Sequence, residues 1–237
     1  HPSVFMWCLE NEENLEGNIT GTRILETLVN LTHRLDPTRP TTAAMNHGWN
    51  EGGYSDVVDV VGYNYGQRGM QYVKDKEKYP NRKMLATEST SYVATRGEHK
   101  DNPEKGYMSN FGKGVSWGLQ PGEDWKHIVD YPYLSGTFVW TGFDYRGEPT
   151  PYRWPCVSSH FGIMDLCGFP KDGYYAYKAA WVDEPLVHAY PHWNLQGMEG
   201  DTIRMGVYTN CEEAELWVNG KSLGRQKSTP FIRLEWK

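Results

Sequence analysis

Across residues 4–140, short apolar runs of strand length alternate with helical stretches, and the runs close on polar, acidic or aromatic residues. Residues 4–9 form the first such run and end in Glu10-Asn11-Glu12-Glu13. Asn18 then precedes a helical pattern, with Ile24, Leu25, Leu28, Leu31 and Leu35 at helical spacing, which Asp36-Pro37 stops. Residues 41–45 read as a second strand, and the β-branched run 57–63 as a third, buried on both faces. A helix over about 70–78 leads to a strand at 83–86 that closes on Thr87-Glu88-Ser89. After a long polar segment, a helix over about 124–134 leads to a strand at 136–140. Strands alternating with helices imply βα units and a parallel sheet. Five strands with chemistry-bearing residues at their ends predict an α/β fold in which they are successive strands of a (β/α)8 TIM barrel. The competing layout, a doubly wound sheet, would carry a Gly-rich first turn, and the sequence has none.

From about Leu186 the period changes to two. Residues 187–193, 203–210 and 214–221 alternate, Asn219-Gly220 is a strong hairpin signal, and 231–236 alternates again. This pattern predicts the start of an all-β, immunoglobulin-like sandwich. The expected domains are therefore a partial barrel at 1–185 and a partial sandwich at 186–237. The chain opens at His1-Pro2-Ser3 without an initiator Met and ends on an alternating strand, so we expect a piece of a longer protein.

Composition narrows the partners. A formal net charge of −6 leaves no basic excess for a phosphate backbone, so nucleic acid is not expected. No apolar run approaches the roughly 18 residues that span a bilayer. Ten Trp and sixteen Tyr, many beside Gly, Asn and acidic residues, suit stacking on sugar rings as well as core packing. Cys8, Cys156, Cys167 and Cys211 have no zinc spacing; a Cys156–Cys167 bridge is open, with free buried thiols the expectation carried forward. His188 and His192 are four apart but in a strand-like stretch with Pro191, which argues against a metal pair. His47 and Trp49 could touch a ligand or pack a loop, and Glu212-Glu213 reads as a solvated turn. Compartment and oligomeric state are left open.

The segment His-Pro-Ser-Val-Phe-Met-Trp-Cys-Leu-Glu-Asn-Glu at residues 1–12 resembles the acid/base segment of glycoside hydrolase family 2, which typically reads W-S-x-G-N-E. Trp7, Asn11 and Glu12 match, while Cys8 replaces the usual Ser and Glu10 the usual Gly. Met84-Leu85-Ala86-Thr87-Glu88-Ser89 resembles the family's nucleophile segment at the end of the seventh barrel strand. Val60-Val61-Gly62-Tyr63-Asn64-Tyr65 is similar to the sixth-strand segment, Gly136-Thr137-Phe138-Val139-Trp140 to the eighth, and the loop from Asp144 to Tyr152 to the one that follows. The resemblance implies that this chain carries strands four to eight. It further implies Glu12 as acid/base, Glu88 as nucleophile, Asn11 on the sugar 2-hydroxyl, Tyr65 (rather than Tyr63) supporting the nucleophile, and Trp140 as a pocket wall. Glu10 and Glu13 remain minor rivals for the acid/base, and the strand-end reading moves Trp7 towards a pocket role. The separation of the two glutamates (88 − 12 = 76 residues) suits three βα units of about 30 residues each.

Two carboxyls about 5–5.5 Å apart, one protonated and one ionised, are what retaining glycoside hydrolysis requires. The reading is thus a retaining exo-β-glycosidase for terminal β-D-galactosides, with β-glucuronidase or β-mannosidase specificity, or a non-catalytic carbohydrate-binding barrel, as alternatives. The partner expected is a carbohydrate. Some relatives use cations, but no metal ligands and no cofactor can be assigned from these residues.

Overall fold

The computed structural model describes residues 1–112 and 114–237. They form two compact units, 1–89 with 130–139, and 90–129 with 140–237.

The first unit is built on a sheet in which β1 (Trp7–Asn11), β2 (Thr41–Met45), β3 (Val60–Asn64), β4 (Met84–Thr90) and β5 (Leu134–Trp140) are neighbours in that order. The pairs β1–β2, β2–β3 and β3–β4 are parallel. Helix α1 (Ile19–Leu35) and helix α2 (Gln71–Lys78) make the crossovers from β1 to β2 and from β3 to β4. A strictly sequential order is that of a barrel wall, whereas a doubly wound sheet reverses at a switch point. β2 is buried along its whole length and β3 nearly so, while the outer strands β1 and β5 are partly exposed.

Local chemistry explains the elements. Asn18 Oδ1 accepts from the Thr20 N–H at 2.8 Å and caps α1, satisfying one of the free donors of the first turn. Of the five apolar residues whose spacing predicts that helix, Leu25 is buried, together with Val29 one turn on, while Ile24, Leu28, Leu31 and Leu35 lie on exposed faces. β1 is displaced from the expected 4–9 to Trp7–Asn11, because its pairing with β2 starts at Trp7↔Thr41. β4 extends beyond the expected 83–86, so Glu88 lies within the strand. At Gly62 an added Cβ would stand 2.2 Å from the Ala43 carbonyl oxygen and 2.7 Å from Thr87 Cγ2, so the approach of β2 and β4 to β3 demands glycine.

The second unit holds α3 (Pro121–Asp130, its last residue in the first unit), α4 (Asp172–Trp181), an antiparallel sheet and a hairpin. Periodicity did not reveal α4, whose Asp-Gly-Tyr-Tyr-Ala-Tyr sequence is aromatic on several faces. Its Tyr177 is buried, and the hydroxyl lies 3.2 Å from Asp124 Oδ2. The sheet orders β10 (Leu234–Trp236), β7 (Met205–Thr209) and β6 (Val187–Tyr190). β8 (Glu213–Val218) and β9 (Lys221–Lys227) turn at Asn219 and Gly220, both at positive φ, as a tight hairpin requires. Ala214 and Leu216 of β8 pack against Met205, Val207, Leu234 and Trp236, giving the two-layer apolar core of a sandwich. Glu213 belongs to β8 and pairs with Arg225 at 2.5 Å, so the expected acidic turn extends only to Glu212.

One further expectation changes. The four thiols are free, but none is buried: Cys8 and Cys167 are exposed, Cys156 and Cys211 intermediate. His188 bonds Asp172 Oδ1 at 2.7 Å and stacks on Tyr175, while His192 bonds the Gly97 carbonyl at 3.1 Å, so the two rings serve separate contacts. Among the described residues, no helix is long and apolar enough to cross a membrane.

Candidate active site

Glu12 and Glu88 meet at one side chain, Asn64. Asn64 ends β3, is almost wholly buried, and its Nδ2 donates towards Glu12 Oε1 at 3.1 Å and Glu88 Oε2 at 3.4 Å. Those two carboxylate oxygens therefore lie within 3.1 + 3.4 = 6.5 Å of each other. The same nitrogen is 3.1 Å from Asn11 Oδ1. Asn64 Oδ1 accepts from the Thr87 hydroxyl at 2.7 Å, which orients the amide with its N–H2 towards acceptors that have no proton to give when ionised.

The backbone holds these groups in uncommon conformations. The register of β1 on β2 shifts between Cys8 and Asn11, and that of β3 on β4 between Gly62 and Asn64. Such irregularities re-aim side chains beside functional sites. Immediately after them, Glu12 and Tyr65 both take left-handed backbone, with φ of 54° and 53°. Each costs about 1–2 kcal/mol for a residue with a Cβ. Hydrogen bonds to the neighbouring strand offset this: Glu12 N–H to the Ala44 carbonyl at 3.1 Å, and Tyr65 N–H to the Glu88 carbonyl at 2.8 Å.

Tyr65 Oη donates to Glu88 Oε1 at 2.7 Å, whereas Tyr63 Oη is turned to Asp75 at 2.8 Å and is buried away from the carboxylate. Of the rivals to Glu12, Glu10 turns to a buried contact with Glu16, and Glu13 is exposed with its N–H on Glu10 Oε2 at 3.2 Å. Trp7 stands at the N-terminal start of β1, opposite to the end that carries Glu12. Its indole N–H bonds Asp36 Oδ2 at 3.0 Å, so the strand-end reading of Trp7 was wrong once β1 moved. Trp140 is the last residue of β5; within the second unit it packs edge-on to Tyr145 and against the Val93, Met108, Val115 and Phe161 cluster. Trp49 is committed to packing, stacked on Tyr63 with its N–H on the Gly62 carbonyl, and His47 Nδ1 lies 2.8 Å from Glu16. Among the described residues, no three His, Cys, Asp or Glu side chains form a metal-binding group.

Asn64 and Thr87 were given no role by sequence reasoning. Their only signal was position, a small polar residue beside each residue singled out at the ends of β3 and β4.

A family model described as the TIM barrel domain of glycosyl hydrolases family 2 matches residues 1–182. The chain belongs to glycoside hydrolase family 2. Within the family, it is 37% identical to "Beta-galactosidase BoGH2A" of Bacteroides ovatus, over all of this chain and 34% of that protein. It is 28% identical to a "Beta-glucuronidase" of Bacteroides fragilis, over all of this chain and 35% of that one. Among solved structures, a beta-glycosidase from Bacteroides vulgatus superposes with a TM-score of 0.82 at 31% identity, over the whole chain and 33% of the other. The chain thus spans about a third of the length of these family members. Residues 200–237 match a second model, a domain of unknown function.

Proposed function

We propose that this chain carries both catalytic carboxyls of a retaining exo-β-glycosidase that hydrolyses terminal β-D-galactosides. The observation that carries the reading is the Asn64 amide, hydrogen-bonded to Glu12 and Glu88 at once. A 6.5 Å ceiling on the distance between those oxygens leaves room for the roughly 5–5.5 Å of a retaining pair, whereas an inverting pair stands about 6.5–9.5 Å apart.

Glu88, oriented by the Tyr65 phenol, attacks the anomeric carbon as the bond to the leaving oxygen breaks. Glu12 delivers its proton to that oxygen. The product of this step is a glycosyl ester of Glu88. Glu12, now ionised, takes a proton from water as the water's oxygen attacks the same carbon, and Glu88 leaves as carboxylate. Asn11, whose Oδ1 is engaged by Asn64, has its Nδ2 to offer a sugar hydroxyl. Trp140 supplies an aromatic wall of the sugar pocket, as the family resemblance implies. We assign residues 1–185 to the catalytic barrel and 186–237 to the sandwich that follows it.

The galactoside assignment leans on the relative named a beta-galactosidase. The relative named a beta-glucuronidase supports a second reading with the same carboxyls and a different sugar. Hydrolysis rates of the full-length protein on nitrophenyl β-galactoside, β-glucuronide and β-mannoside decide between them. Fastest turnover of the glucuronide or mannoside would overturn the galactoside assignment, and turnover of none would favour a barrel that only binds sugar.

A further inference from the structure

Two buried carboxyl oxygens next to Glu12, Glu10 Oε1 and Glu16 Oε1, have no protein donor. The side chain of Glu16 is fully buried. The two carboxyls lie within hydrogen-bonding reach of each other, and two ionised carboxylates facing one another have no proton to share. An orphaned buried acceptor costs about as much as a lost hydrogen bond, and a like-charged partner adds repulsion.

The other oxygens show which group keeps the charge. Glu16 Oε2 accepts from the Asn46 N–H at 3.0 Å and the His47 N–H at 3.1 Å, and the His47 ring Nδ1 is 2.8 Å away. Glu10 Oε2 accepts from the Glu13 N–H at 3.2 Å. Glu16 is thus the better supported carboxylate, and Glu10 the better acid.

We propose that Glu10 is a protonated positioning residue, donating its carboxyl proton to Glu16 Oε1 and so clamping the turn that carries Asn11 and Glu12. The inference rests on Glu12 being the acid/base. One hydrogen bond satisfies both orphaned oxygens and ties the end of β1 to the residue that anchors the segment after β2. It gives a physical role to the Glu that stands where the family pattern has Gly.

The surroundings favour the protonated form. Burial first, then the charges of Glu16 and Glu13, raises the Glu10 carboxyl from its ordinary 4.5 to about 7. Cys8 on β1 and Tyr54 in the turn at Tyr54–Asp56 also face Glu10, and the cost of desolvating a thiolate or phenolate there, with the Glu10 charge added, holds both above their usual ranges, so neither brings charge near neutral pH. Glu12 and His47 face Glu16 rather than Glu10. Between pH 4.5 and about 7 the folded state therefore binds more protons than the unfolded chain. The stabilisation from the pair is full below that window and is lost as pH rises through about 7.

The test uses the full-length protein with Glu10→Gln, whose amide N–H2 replaces the carboxyl donor without titrating, and Glu10→Ala, which has none. The wild-type Tm should fall by several degrees as pH is raised through about 7, while that of Glu10→Gln stays level over the same range. On a β-galactoside with a poor leaving group, Glu10→Ala should lose about tenfold or more at about pH 6, and Glu10→Gln should restore most of it. The wild type should lose more activity than Glu10→Gln between about pH 6 and 8. Parallel Tm–pH curves for wild type and Glu10→Gln would overturn the shared proton. Divergent Tm curves with superimposable pH–rate profiles would overturn the positioning role. Because the Tm comparison needs no catalysis, a failed assignment of Glu12 would leave it decisive, and it stands even if Glu10→Ala does not fold.

Discussion

Tyr65 holds Glu88 twice, through its backbone N–H on the Glu88 carbonyl at 2.8 Å and its phenol on Glu88 Oε1 at 2.7 Å. The first contact sets the strand register at Asn64↔Glu88, and the second aims the carboxylate. Rigid orientation is what a nucleophile needs, because a misplacement of about 1 Å can cost on the order of a hundredfold in rate.

Glu88→Gln should therefore lose several powers of ten in rate and be partly rescued by azide, yielding a glycosyl azide of inverted configuration. A 2-fluoro glycoside should label Glu88 in the wild type; a label on any other residue removes the assignment. Tyr65→Phe forfeits one hydrogen bond to a charged group, about 1.5–3 kcal/mol, and should slow formation of the glycosyl-enzyme by about 10–100-fold.

Glu12→Ala should harm substrates with poor leaving groups far more than activated aryl glycosides, since only the former need protonation. Steady-state kinetics on an aryl series gives the dependence on leaving group. Equal losses across the series would point to Glu10 or Glu13 instead, or to a structural role.

Asn64 should be as sensitive as a residue that touches substrate. Asn64→Asp sets a third acceptor-only group against Glu12 and Glu88, and should cost about 10²–10³-fold at neutral pH, with partial recovery on acidification as one carboxyl gains a proton. Asn64→Leu, of similar volume and without donors, should lose activity without that recovery. A pH–rate profile for each variant separates the two.

A pH effect of opposite sign to that of Glu10 resides in the second unit. His160 is buried, and burial together with the nearby Lys171 charge lowers its imidazole from 6.5 to about 4. The unfolded chain then binds more protons in that window, so the contribution is present above 6.5 and lost as pH falls through about 4. The shift corresponds to about 3 kcal/mol at about 1.4 kcal/mol per unit. Urea denaturation of His160→Gln should show a flatter acid limb than the wild type, and an unchanged limb would refute the account. Lys171 itself is fully buried, bonded to the Ala94 carbonyl and Asp144 Oδ1 at 2.7 Å each, so Lys171→Met should destabilise by leaving Asp144 unpaired.

Local pattern carried the architecture. The β-branched and alternating runs marked β2, β3, β5 and β7 within a few residues, Asn18 marked the start of α1, and Asn219-Gly220 the turn of the last hairpin. Those signals are legible because propensity, capping and turn chemistry act over two to five residues. Chemistry-bearing residues at the strand ends and the lack of a Gly-rich first turn, rather than the alternation of strand and helix, favoured a barrel wall over a doubly wound sheet.

What chain pattern alone determined about this protein is the order of β1 to β5 with α1 to α3, though not α4, and the placing of Asn11, Glu12 and Glu88 near strand ends. Only the tertiary structure decided that Asn64 joins both glutamates, that Trp7 opens β1 and bonds Asp36, and that Glu10 meets Glu16 in a buried contact. Each of these depends on strand register, and a shift of a single residue sends every side chain to the other face. Register is set where neighbouring strands pair, as at Trp7↔Thr41 and Asn64↔Glu88, between residues tens of positions apart that no local periodicity can relate.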